Sequence, residues 1–94
     1  MKYLITENQN KIHRANILIK DIIDSYHDNV ILKVDYALKY NDEYDYYTIY
    51  PTFYIKKEDL NQFATGLASH RLAQKIQDYT GLNINASNAE VITE

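Results

Sequence analysis

The sequence predicts an α+β domain: a short antiparallel sheet built on a long hairpin, with two helices on one face of that sheet. Two observations lead there. Residues 30–56 alternate apolar and polar side chains in two runs, about 30–40 and 45–56, which is the period-2 signature of strands. Residues 10–27 and 59–80, on either side of the hairpin, carry apolar residues at helical spacing. With 94 residues, two glycines and one proline, the chain has no linker-like stretch, so 1–94 reads as a single domain.

A short strand is expected at Lys2–Thr6. In the helix over 10–27, Ile12, Ala15, Ile19, Ile22, Ile23 and Tyr26 form one stripe. His13, Lys20, Asp21, Asp24, His27 and Asp28 lie opposite it. Glu7, Asn8 and Asn10 suit the cap or first turn, and Asn29 suits the exit before Val30.

In the hairpin, Val30, Leu32, Val34, Tyr36, Leu38 and Tyr40 face inward on the first strand, with Ile31, Lys33, Asp35, Ala37 and Lys39 outward. On the second, Tyr47, Ile49, Pro51, Phe53 and Ile55 face inward against Tyr46, Thr48, Tyr50, Thr52 and Tyr54. Only an even-length loop pairs inward with inward positions, because a one-residue slip turns a strand inside out. A loop of Asn41–Tyr44, or its two central residues, pairs Leu38 with Tyr47, Tyr36 with Ile49, Val34 with Pro51 and Leu32 with Phe53. Pro51 has no N–H to give, so its strand is expected to be an edge there, or bulged.

The second helix is expected to open near Asp59, where Asp59 and Gln62 resemble a capping box, and to stop at Thr80-Gly81. Its apolar stripe drifts: Leu60, Phe63, Ala64 and Leu67 share one face, while Ala68, Leu72, Ile76 and Tyr79 lie about 120° around. Either the helix bends near Gly66 or its second half packs on something other than the sheet. The second explanation is preferred here. It implies a homodimer contact through Leu72, Ile76 and Tyr79, or through an added edge strand, unless the tail wraps over them. Leu82–Asn85 and Val91–Thr93 are candidates for a further strand.

The residues exclude much chemistry. Without cysteine there are no disulfides and no thiolate metal ligands, a composition that fits a reducing compartment. Two glycines cannot build a phosphate-cradling loop, and Ser25, Ser69 and Ser87 lack a nucleophile-elbow setting. Asp24 and His27 sit one helical turn apart, but His13 is roughly 20 Å further along the axis, too far to complete a metal site. No catalytic residue, metal or cofactor is therefore expected, and the chain does not read as an enzyme. The longest apolar runs have three residues, such as Ile17-Leu18-Ile19, and Met1-Lys2 precedes too short an apolar stretch for a signal peptide. The expected location is the cytoplasm, that of a host cell if the chain is viral, with no membrane partner.

The clearest surface signal is tyrosine. Seven of the ten lie between Tyr36 and Tyr54, and Tyr46, Tyr50 and Tyr54 recur every four residues on the outward face with Lys33, Lys39 and Lys56 nearby. Tyrosine suits a half-exposed strand in any case, where aromatic cross-strand pairs contribute ~0.2–1 kcal/mol each. Such a concentration also fits an interface, because the side chain offers a large contact area at small entropy cost. The loop adds acid: Asp42, Glu43 and Asp45 bracket Tyr44, with Asp35 on the outward face below. Carboxylates at a loop commonly only solubilise, but beside a tyrosine face they suit a basic groove of the kind that holds nucleic acid, with Asp21, Asp24 and Asp28 adding to the field.

Three function classes compete. The leading expectation is a protein-binding module whose contacts are Tyr46, Tyr50, Tyr54, Asp35, Asp42, Glu43, Tyr44 and Asp45. In profile alone (small, acidic, cysteine-free, tyrosine-rich) the chain is similar to small anti-CRISPR-type inhibitors, which implies a partner that handles nucleic acid. Isoleucine, asparagine, lysine and tyrosine fill 39 of 94 positions, all with AT-rich codons, which suits a low-GC bacterium, its phages or its plasmids. The second class is a single-stranded nucleic-acid binder that stacks bases on the tyrosines with Lys33 and Lys39 on phosphates. Asp35 within that face and the net charge of −3 oppose it. The third, an enzyme, has no residue set behind it.

Overall fold

A computed structural model describes residues 7–94; the strand expected at Lys2–Thr6 lies outside them. The elements are α1 (Glu7–Asp24), β1 (Ile31–Asn41), β2 (Tyr46–Ile55), a 3-10 segment (Lys57–Gln62), α2 (Thr65–Thr80), β3 (Ile84–Ala86) and β4 (Glu90–Thr93). The architecture is α+β, with α1 and α2 on one face of a four-stranded sheet and no described element on the other.

α1 buries Ala15, Ile19 and Ile23, with Ile22 packed beside them, which is the expected stripe. It ends at Asp24, earlier than expected, and Ser25 Oγ donates back to the carbonyls of Asp21 and Ile22 at 3.0 and 3.1 Å. Asp28 Oδ1 then accepts from the N–H groups of Val30 and Ile31, both at 2.7 Å, and aims the chain into β1.

β1 and β2 form the long antiparallel hairpin with inward facing inward, but two residues along from the expected register. Leu38 pairs with Ile49, Tyr36 with Pro51 and Val34 with Phe53. The turn chemistry sets this offset. Asn41 Oδ1 caps the N–H groups of Glu43 and Tyr44, and Asp45 takes a left-handed φ of 53°, so the loop is Asp42–Asp45 and Asn41 still pairs with Tyr46. At the base a bulge between Ile31 and Lys33 reverses the local parity. Ile31 is buried and Leu32 is 38% exposed, the opposite of the sequence expectation.

The sheet is mixed rather than purely antiparallel. α2 carries the chain back along the sheet, so the tail re-enters parallel to β2, as β3 opposite Tyr47–Ile49 and β4 opposite Thr52–Ile55. β2 is thus central, a position in which Pro51 is tolerated only where no ladder bond is asked of it. Tyr47 N–H donates to Asn83 O, and Ile49 O and Ile55 O accept from Ser87 and Glu94, so odd-numbered β2 residues aim their backbone groups at the tail. Pro51 is one of these, and the tail strand is interrupted opposite it, between Ala86 and Glu90. The missing donor falls in a gap, so no ladder bond is lost, and the expected local edge is there.

The single helix expected over 59–80 is two pieces. Phe63 and Ala64 are extended, with ψ of 116° and 90°, which brings the Phe63 ring edge-on to Phe53 at 5.5 Å between centroids. This break, two residues before Gly66, accounts for the drifting stripe. Beyond it, α2 lays Leu72, Ala73 and Ile76 on the sheet and stops at Gly81, whose φ of 73° favours glycine. The face thought to need a partner is therefore covered by the chain's own core. Leu72 and Ile76 are both 0% exposed while Tyr79 is 73% exposed, so the three make no common contact surface.

Phe53→Ala and Ile31→Ala each remove a buried side chain and should destabilise the fold by ~2–5 kcal/mol, whereas Leu32→Ala should cost less than ~1 kcal/mol. Urea denaturation of the three variants checks the assignment; equal losses for Ile31 and Leu32 contradict the bulge.

Candidate functional site

The alternation that buries Tyr47, Ile49, Pro51, Phe53 and Ile55 puts Tyr46, Thr48, Tyr50, Thr52 and Tyr54, all half-buried, on the face away from the helices. Tyr46, Tyr50 and Tyr54 form a column along β2. β1 supplies its neighbours on one side: Lys33 opposite Tyr54, Asp35 opposite Thr52, Ala37 opposite Tyr50 and Lys39 opposite Thr48. β4 supplies the other, with Glu90 beside Thr52 and Ile92, 41% exposed, beside Tyr54.

The side chains on this face engage one another. Lys33 Nζ lies 4.4 Å from the Tyr54 ring centroid, and Lys39 Nζ lies 5.5 Å from that of Tyr50. Hydrogen bonding to Asp35 holds the Tyr54 phenol above its ordinary pKa, and the charges of Asp35, Glu94 and Glu90 act in the same direction. Over Pro51, the interruption of the tail strand leaves a shallow hollow of about 410 Å³ between Asp35, Tyr50, Thr52, Asn88 and Glu90. Large aromatic area, two carboxylates and hydroxyls thus meet on one open surface.

Of the residues expected at a contact, Tyr46, Tyr50, Tyr54 and Asp35 come together here. Asp42, Glu43 and Tyr44 project at the hairpin tip, Tyr44 with 69% exposure. Asp45, also at the tip, ties it to α1. It accepts a hydrogen bond from the Tyr40 hydroxyl, and Lys11 of α1 donates to Tyr40 Oη at 2.8 Å and pairs with Asp45 at 3.4 Å. The Tyr47 hydroxyl donates to Lys11 O at 3.4 Å, and the Tyr40 and Tyr47 rings lie 4.9 Å apart. These contacts clasp the tip to the start of α1. Asp21 and Asp24 belong to α1, across the sheet from the tyrosine column. Glu90, Ile92 and Asn88 join the site unanticipated, because only the parallel return of the tail brings them there.

Among the described residues no group of three or more His, Cys, Asp or Glu side chains could hold a metal ion, and no described helix is long and apolar enough to cross a membrane. Compared with known proteins, the chain matches no family model, no curated protein and no solved structure.

The clasp is pH-dependent. The Tyr40 hydrogen bond, and then Lys11, hold the Asp45 carboxyl below its ordinary pKa. A depressed folded pKa contributes stability above the unfolded value, near 3.9 for aspartate, and that contribution is lost as pH falls through the folded value. Acid titration followed by amide chemical shifts should show the tip loosening from α1 below about pH 4 in the native chain and no such transition in Asp45→Asn. An identical transition in both would assign it to another group.

Proposed function

We propose that this chain is a protein-binding module that acts by occupying a partner's surface with the open face of its sheet. The observation that carries this reading is the column Tyr46–Tyr50–Tyr54, standing on a face that no described helix covers, with Asp35 and Glu90 alongside. Tyrosine contributes disproportionately to interface energetics, and carboxylates at the rim steer association with a basic surface. The net charge of −3 and the exposed Asp42 and Glu43 act in the same sense. The partner that fits is a nucleic-acid-handling enzyme whose basic groove the acidic, aromatic surface occupies. On that reading the chain is an inhibitor encoded by a phage or plasmid of an AT-rich bacterium and works in the host cytoplasm.

Direct stacking of nucleic-acid bases is disfavoured on the same face. Lys33 and Lys39 already lie over the rings of Tyr54 and Tyr50, and Asp35 and Glu90 repel phosphate.

Two experiments test the proposal. Titration of the free chain with short poly-dT and poly-rU at low salt should leave tyrosine fluorescence unchanged; quenching at micromolar concentration overturns it in favour of nucleic-acid binding. A photo-crosslinking side chain at position 50 should give a discrete adduct in a bacterial extract that added nucleic acid suppresses, while one at position 17, on the outer side of α1, gives none. With that partner purified, Tyr50→Ala and Tyr54→Ala should each weaken the complex by ~2 kcal/mol or more with the fold intact.

A further inference from the structure

We infer that the free edge of β1 accepts an extended segment of a partner protein as an added strand. β1 ends the strand order, and its outer edge has no strand beside it among the described residues. The direction of its backbone groups follows from β2. Odd-numbered β2 residues address the tail, so even-numbered ones bond to β1, through Asp35, Ala37 and Lys39. The N–H and C=O groups of Val34, Tyr36, Leu38 and Tyr40 therefore point away from the sheet, with no backbone partner among the described residues.

Native edges are usually blunted by proline, bulges, inward charges, short length or charged edge side chains, and the charges Lys33, Asp35 and Lys39 on β1 restrict it to a segment of complementary pattern. β1 is 11 residues long, and its one irregularity lies at the base, between Ile31 and Lys33. From Val34 to Tyr40 the edge is regular, without proline, and its inward side chains are Val34, Tyr36, Leu38 and Tyr40. Such an edge is a template for strand addition.

Sterics decide what occupies it. α1 packs chiefly over β1. A helix with its side chains is about 10–12 Å wide, whereas neighbouring strands are about 4.8 Å apart. A second copy pairing antiparallel through β1 drives its own α1 into this one, while a bare extended segment has no helix to collide. The outward row Lys33, Asp35, Ala37, Lys39 sets the charge pattern: acid opposite each lysine, base opposite Asp35, apolar residues between. The charged row shares the open face with the tyrosine column, Lys33 and Lys39 lying over the Tyr54 and Tyr50 rings, but the backbone edge is not part of that column, and strand addition read at the Tyr36 and Leu38 amides succeeds or fails without the docking proposed there.

A terminally blocked heptapeptide, Glu-Val-Thr-Ile-Lys-Val-Glu, meets this pattern in antiparallel register from Lys39 to Lys33; its charge-reversed counterpart is Lys-Val-Thr-Ile-Glu-Val-Lys. Amide hydrogen exchange by NMR reads the result. In the free chain the amides of Tyr36 and Leu38 should exchange at least about tenfold faster than those of Ala37 and Lys39, because only the latter bond within the sheet. The first peptide should slow Tyr36 and Leu38 by about tenfold or more, and the charge-reversed one should slow them less. In the double variant Lys33→Glu with Lys39→Glu the preference between the peptides should invert or vanish. Protection of Tyr36 and Leu38 in the free chain overturns the inference, since the edge is then already covered by a second copy or another part of the chain. So does equal protection by both peptides, or by neither.

Discussion

β2 cannot slip by one residue without carrying Ile49, Phe53 and Ile55 into water and Tyr46, Tyr50 and Tyr54 into the core. Ile49, Phe53 and Ile55 are each 0% exposed, and burying a side chain of that size contributes ~1.5–3 kcal/mol. In a chain of 94 residues, whose whole stability is on the order of 5–15 kcal/mol, that preference fixes the register. The rest follows from it. Both helices gather on the apolar side, where Ile19 of α1 and Leu72 and Ile76 of α2 close the core. The tail joins at the edge of β2 that β1 leaves open, and its strand is interrupted opposite Pro51. No described element covers the opposite side of β2, and the tyrosines stand there because tyrosine tolerates a half-wet position.

How much of this was legible in the sequence depended on whether a local pattern sufficed. The hairpin faces, the stripe of α1 and the stop at Gly81 are each encoded within a few residues, and all were readable. The hairpin register was not, because side-chain parity leaves shifts of two residues equivalent. Asn41 Oδ1 and the left-handed Asp45 choose between them. The bulge that exchanges Ile31 for Leu32 follows from Asp28 capping the strand entry, a contact that alternation does not reveal. The drifting stripe on residues 59–80 was a real signal of a broken helix. The break came from the extended Phe63 seeking Phe53, so the supposed dimer face at Leu72 and Ile76 proved to be core.

At the candidate site the same division holds. Tyr46, Tyr50, Tyr54 and Asp35 were legible because strand alternation places them. The clasp role of Asp45 was not legible, because its neighbour Lys11 is distant in sequence and nothing local marks the contact. Glu90 and Ile92 depend on a parallel return through α2, a topological fact with no sequence signature of its own. Glu90 thereby sets a second carboxylate beside Thr52, across β2 from Asp35, which the sequence alone did not suggest.

The division of β2 into a closed and an open side is tested most directly by tyrosine nitration of the folded chain, mapped by peptide mass spectrometry. The account predicts modification of Tyr46, Tyr50 and Tyr54 in the native state, with Tyr47, 9% exposed beneath the helices, spared until the chain is unfolded. Nitration of native Tyr47 with Tyr50 and Tyr54 spared would contradict it.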